Sequence, residues 1–166
     1  SSSSRGLGDV YKRQESNLCG EPGGKQDQYA ASFGGLNHFI FNVDGSVDVE
    51  SIELSDEAKS KLSDSILMFY TGTTRKSSFP LNDVIENLNN NKNNIKIIRE
   101  ISLLCTDFMN ALSNSDINIM GEILDKSWSL KKSLSKIVSS SYIDDLYKKA
   151  CNSGAIGGKI PVSYTH

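Results

Sequence analysis

A chain of 166 residues can hold one domain with a real core, or parts of two, and its formal net charge of −2 argues against a nucleic-acid-binding surface. No apolar run is long enough to span a membrane, and the Ser-rich start lacks the apolar core of a secretory signal. The three cysteines, Cys19, Cys105 and Cys151, are widely spaced and form no CxxC or Cys/His cluster, which speaks against a zinc site and for reduced thiols in the cytoplasm.

Both ends read as foreign. Ser1 to Gln14, with Arg5-Gly6-Leu7-Gly8-Asp9-Val10-Tyr11, resembles translated sequencing adaptor, as does Pro161-Val162-Ser163-Tyr164-Thr165-His166. Residues 1–14 and 161–166 are therefore expected to stand outside the fold, with the native span running from about Glu15 to Ile160.

The first informative stretch is Gly20-Glu21-Pro22-Gly23-Gly24-Lys25-Gln26-Asp27-Gln28-Tyr29-Ala30-Ala31-Ser32-Phe33-Gly34-Gly35. Pro22 and two glycines make a turn, Lys25 to Phe33 holds no helix breaker, and Gly34 tolerates the positive φ that ends helices. This predicts a loop feeding a short helix with Asp27 in its first turn, where a carboxylate meets the positive end of the helix dipole. Ala30 and Ala31 follow on the same face and leave room for a substrate or a backbone to approach. Asp27 alone reads two ways, as a helix-stabilising carboxylate or as a catalytic one.

Leu36 to Leu54 predicts a hairpin. An aromatic and β-branched run is followed by Asp44-Gly45, and then by Val47-Asp48-Val49-Glu50, whose alternation gives one wet face. His38 has no metal partner nearby in sequence and reads as structural or solvent-facing. Ser55 to Ser63 predicts a short turn or helix. Ser65-Ile66-Leu67-Met68-Phe69-Tyr70 predicts a strand buried on both faces. Leu81 to Leu88 predicts a short helix, followed to Asn94 by an Asn-rich surface loop.

Two strong helical stripes come next. One uses Ile97, Ile98, Ile101, Leu104, Cys105, Phe108, Met109 and Leu112; the other uses Ile119, Ile123, Leu124, Trp128, Leu130 and Leu134. Lys131, Lys132 and Lys136 read as a solvated face, Tyr142 to Cys151 as a third helix ending near Gly154, and Cys105 and Cys151 as small buried apolar residues.

The Gly20–Gly35 stretch resembles the substrate-site segment of the GHMP kinases, above all of the heptose 7-phosphate kinases in that family. Tyr70-Thr71-Gly72-Thr73-Thr74-Arg75 resembles the family's Tyr-Thr-Gly-x-Thr-Arg loop, Trp128 to Ser135 its helix before the last motif, and Gly154-Ala155-Ile156-Gly157-Gly158-Lys159 the lead-in to its third, glycine-rich motif. The resemblance implies an α+β fold. Residues 15–64 would be the end of a GHMP N-terminal domain (ribosomal S5 domain 2-like), and residues 65–160 a truncated, ferredoxin-like GHMP C-terminal domain.

The same resemblance makes Asp27 the base or orienter towards a sugar hydroxyl. Substrate contacts would come from Gly23, Gly24, Lys25, Gln26, Thr71, Gly72, Thr74 and Arg75, with Gly157 and Gly158 leading into the glycine motif. A guanidinium such as that of Arg75 suits a sugar phosphate through bidentate, charge-assisted bonds. The implied partners are ATP, Mg²⁺ and a sugar phosphate, with no nucleic acid and no membrane. The implied reaction phosphorylates the anomeric oxygen of D-glycero-D-manno-heptose 7-phosphate. Because the family's nucleotide loop and metal ligands find no counterpart here, this stretch by itself is expected to be inactive. A kinase for another sugar such as fucose, and a non-catalytic sugar-phosphate-binding domain, stay open as alternatives.

Overall fold

The computed structural model describes residues 9–10, 25–72, 92–135 and 137–160. The chain divides into two compact units, Ser1–Ser55 and Asp56–His166.

In the first unit, α1 (Gln26–Phe33) precedes a two-stranded antiparallel sheet of β1 (Asn37–Phe41) and β2 (Val47–Ser51). The glycine stop behaves as expected: Gly34 takes φ 63° and its N–H bonds the Ala30 carbonyl at 3.0 Å. The register pairs Phe39 with Val49 and Phe41 with Val47. A three-residue loop, Val43-Asp44-Gly45, closes the hairpin. The Gly45 N–H bonds the Asn42 carbonyl at 3.0 Å, and Gly45 takes φ 87°. That is a type I turn followed by a left-handed glycine. The Asp44 carboxylate accepts from the Ser46 hydroxyl at 2.6 Å and the Ser46 N–H at 2.9 Å, and these bonds hold its pKa below the ordinary value.

The face of the hairpin towards α1 is aromatic. The Tyr29 ring lies 6.1–6.2 Å from those of Phe33, Phe39 and Phe41, and Tyr29 is only 1% exposed. Edge-to-face and offset pairs of this kind are each worth about 0.5–1.5 kcal/mol beyond burial. The other face is wet, as the alternation predicts, and His38 meets Glu50 there at 3.0 Å.

The second unit holds α2 (Asp56–Ser65), α3 (Lys92–Ser113), α4 (Ile117–Leu134) and α5 (Ser141–Asn152). Helices α3 and α4 pack on each other across a three-residue turn, Asn114-Ser115-Asp116. The Asp116 carboxylate caps α4 by accepting from the Ile119 N–H at 3.1 Å, and the Ser140 hydroxyl caps α5 from the Ile143 N–H at 3.3 Å. The core gathers Leu104, Ala111, Leu112, Met120, Trp128, Leu134 and Val138, all buried. The predicted stripe of Ile97, Ile101, Phe108 and Leu112 turns away from open solvent.

Several expectations are corrected. Ile66 to Tyr70 forms no strand, and Ile66 and Met68 are 61% and 94% exposed. A strand needs a neighbour for its N–H and C=O groups, and among the described residues of this unit no strand is present to supply one. The sheet expected behind the C-terminal helices is likewise absent among the described residues. Cys105 and Ile98 are exposed because they sit on the shoulder of the α3 stripe, beyond the line through Ile97, Ile101, Leu104 and Phe108. Ile119 is exposed for a local reason: it lies in the first turn of α4. Asn93 and Asn94 belong to α3, not to a loop, and Asn94 is buried. Lys131 and Lys132 are half-buried, not solvated. The expected helix Leu81–Leu88 and Lys136 lie outside the described residues.

Candidate functional site

In the first unit the candidate residues stand at the start of α1. Lys25 is its N-cap, and its ammonium donates to the Gly45 carbonyl at 2.7 Å, tying the helix start to the hairpin turn. Asp27 lies in the first turn and is exposed, with Ala30 and Ala31 exposed one turn on. Gln28 and Tyr29 turn the opposite way, into the aromatic core. This one-sided packing is what fixes the direction in which the Asp27 face looks. The Tyr29 hydroxyl reaches the Asp9 carboxylate at 2.8 Å, a bond to the segment expected to be foreign. Gly23 and Gly24 lie outside the described residues.

In the second unit, Thr71 is half-buried and Gly72 takes φ 75°, a left-handed turn suited to glycine. Thr74 and Arg75 lie outside the described residues. Gly157 lies against α4, and Gly158 lies beside Tyr147 of α5. A Cβ on Gly157 would collide with the Gly121 carbonyl oxygen and stand 2.9 Å from the Asp125 nitrogen, so the backbones touch there without side chains between them. Beside this crossing the Tyr147 hydroxyl donates to the Asp125 carboxylate at 2.5 Å. Burial raises the Tyr147 pKa well above its ordinary value, and the bond to Asp125 raises it further; a backbone hydrogen bond from Gly158 acts the other way.

The Lys132 ammonium lies 5.9 Å from the centre of the Trp128 ring and 6.0 Å from that of Tyr147, and bonds Asp144 at 3.1 Å. Lys132, followed by the Ser139 hydroxyl at 3.0 Å, holds the Asp144 carboxyl below its ordinary pKa. Among the described residues no three His, Cys, Asp or Glu side chains gather to hold a metal ion, and no helix is long and apolar enough to cross a membrane.

No protein-family model matches the chain. Over 153 residues, 90% of this chain, it is 32% identical to a D-glycero-alpha-D-manno-heptose 7-phosphate kinase of Campylobacter jejuni. The chain is homologous to a sugar kinase. Over 135 residues, 79% of its length, it is also 26% identical to a bifunctional fucokinase/GDP-fucose pyrophosphorylase of Arabidopsis thaliana. It spans 44% of the first relative and 13% of the second, less than half of either.

The resemblance seen in the Gly20–Gly35, Tyr70–Arg75 and Gly154–Lys159 stretches thus extends along nearly the whole chain of this sugar-kinase homologue. Its structure draws Lys25, Gln26 and Asp27 together at one helix start, and sets Gly157 against α4 and Gly158 beside Tyr147 of α5. Sequence reasoning missed Asp125, Lys132, Asp144 and Tyr147. One signal was available: Gly121 stands in the interior of α4, where glycine costs about 1 kcal/mol against alanine and usually marks a close approach.

Proposed function

We propose that this chain is part of a GHMP-type sugar kinase that acts in the cytoplasm. In this reading it moves the γ-phosphate of ATP to the anomeric hydroxyl of D-glycero-D-manno-heptose 7-phosphate. The observation that carries the reading is the 32% identity to a heptose 7-phosphate kinase across 90% of the chain.

Phosphoryl transfer asks mainly for alignment and charge stabilisation. The anomeric oxygen attacks the γ-phosphorus, the bond to the β–γ bridging oxygen breaks, and ADP leaves. Asp27 orients the hydroxyl and takes its proton. The N–H groups at the start of α1 and the dipole behind them favour an anion on this side. Gly23, Gly24 and Gln26 contact the sugar, Lys25 fixes the helix start to the hairpin, and Thr71, Gly72, Thr74 and Arg75 receive the 7-phosphate. The product, a 1,7-bisphosphate, supplies nucleotide-activated heptose for surface polysaccharide. Mg²⁺ belongs to the family's chemistry, but the described residues gather no set to hold it; the roles given to them concern the sugar and its phosphate alone.

The likeness to the fucokinase favours a second reading, a kinase for an unphosphorylated sugar. Kinetics on a chain extended to the length of its relatives separates the two. The heptose reading expects turnover of heptose 7-phosphate and a raised KM for it in Arg75→Ala, with little turnover of fucose. Faster turnover of fucose, indifferent to Arg75→Ala, would support the second reading. Sugar-phosphate binding without turnover would make it a binding domain.

A further inference from the structure

From Ser65 to Thr74 the sequence carries no charge, and Ile66-Leu67-Met68-Phe69-Tyr70 within it is an unbroken run of large apolar and aromatic side chains. Such a run gains free energy when water is removed from it. In the second unit it finds no cover: the five residues are 61%, 78%, 94%, 73% and 75% exposed. Its backbone is open as well. The Ile66 N–H bonds the Ser63 carbonyl at 3.4 Å, and among the described residues no backbone bond pairs Leu67, Met68, Phe69 or Tyr70. Five large side chains at this exposure present on the order of 800 Å². The largest apolar patch of a typical monomer is about 300–600 Å², whereas a specific dimer takes about 800 Å² from each partner.

We propose that residues 66–70 are a self-association surface, and that its occupant is the same run of a second copy of this chain. The run is complementary to itself. Paired antiparallel about a two-fold axis at Met68, Ile66 meets Tyr70 and Leu67 meets Phe69, each an aliphatic side chain against an aromatic one. The open N–H and C=O groups of the two runs then satisfy each other. No like charges meet: Asp64 falls opposite the copy's Gly72, whereas a parallel pair would set Asp64 beside its own counterpart. The surface is independent of the kinase reading above and stands or falls apart from it.

The test is sedimentation equilibrium on the full 166-residue chain, with far-UV circular dichroism to check that each variant is folded. The parent should pass from monomer to dimer as its concentration rises to about 0.2 mM. Met68→Lys sets two ammonium groups against each other at the two-fold axis; the side chain is 94% exposed in the monomer, so the fold tolerates the change. Association should weaken at least about 100-fold. Met68→Leu keeps an apolar side chain of like volume and should stay within about 3-fold of the parent. Leu103→Lys places the same charge at an exposed apolar position of α3 and should also stay within about 3-fold. A parent that is monomeric at every concentration, a dimer as tight in Met68→Lys as in the parent, or equal disruption by Leu103→Lys would each overturn the proposal. So would a chain extended to the length of its relatives that is monomeric and protects the amides of 66–70 from exchange, since its own remainder would then cover the run.

Discussion

Replacing Gly157 by alanine tests the close crossing most severely. The new Cβ would stand 2.9 Å from the Asp125 nitrogen and 3.0 Å from the Asp125 Cβ, and would overlap the Gly121 carbonyl oxygen. All three are backbone atoms or atoms fixed to it, so no side chain can rotate out of the way. Overpacking of this kind costs about 1–3 kcal/mol. Its neighbour is the internal control. At Gly158 the nearest atom to a new Cβ is the Tyr147 Cε2 at 3.8 Å, ordinary contact, and alanine there should leave stability within about 1 kcal/mol of the parent.

Gly121→Ala falls between the two. Its Cβ would meet the Ile156 Cβ and Cγ2 at 2.7 and 2.8 Å, a side chain that can shift, and the gain in helix propensity of about 1 kcal/mol offsets part of the strain. Thermal melts followed by far-UV circular dichroism and by the fluorescence of Trp128, the sole tryptophan, report on the second unit. At about 4–8 °C per kcal/mol for a domain of this size, the three variants should be ordered with Gly157→Ala lowest and Gly158→Ala close to the parent. Equal melting of Gly157→Ala and the parent, or a larger loss at Gly158, would refute the crossing.

Asp116→Ala removes the carboxylate that caps α4 and should lower stability by about 1 kcal/mol, measured by urea unfolding, with Asp116→Asn close to the parent. Tyr29→Ala empties the centre of the first unit's aromatic cluster and should cost about 3–5 kcal/mol, seen as loss of hairpin amide protection. Tyr147 binds its proton more tightly when folded. Its contribution is therefore whole below the ordinary phenol value of 10.0 and is lost as pH rises through the raised folded value. Unfolding free energy measured across this alkaline range should fall more steeply for the parent than for Tyr147→Phe.

What could be read from the sequence was what neighbours in the chain decide. Gly34 ends α1, Asp44-Gly45 closes the hairpin, and the spacing of Ile97, Ile101, Leu104 and Phe108 makes α3 and gives its inner face. What could not be read depends on residues far apart in sequence. Ile66 to Tyr70 has the composition of a buried strand, but composition does not supply a partner, and it stays exposed. Cys105 fails by a small rotation about the helix axis, which spacing alone does not resolve. The Tyr147–Asp125 bond joins residues 22 apart on two helices, and neither residue carries a local sign of the other. Lys132 looked solvated for the same reason: its cover comes from Tyr147 and Asp144 on the next helix. At the candidate site, the position of Asp27 in the first turn of α1 was legible because glycines and helix formers set it locally. The reach of Lys25 to the Gly45 carbonyl was not, because the hairpin tip comes back to the helix only in the folded unit.

The central claim is that Asp27 serves a sugar kinase as the group that orients and deprotonates the acceptor hydroxyl. Steady-state kinetics of Asp27→Asn, on a chain extended to the length of its kinase relatives, with heptose 7-phosphate and ATP, tests it most directly. Asparagine keeps the size and the hydrogen bonding but loses basicity and charge. A positioned general base is worth about 10²–10⁴-fold, so kcat and kcat/KM should fall together by that factor, with KM little changed. A carboxylate that only stabilises the helix start contributes under about 1 kcal/mol to stability and nothing to the chemical step. An Asp27→Asn enzyme that melts slightly earlier yet turns over the sugar at close to the parent rate would contradict the account.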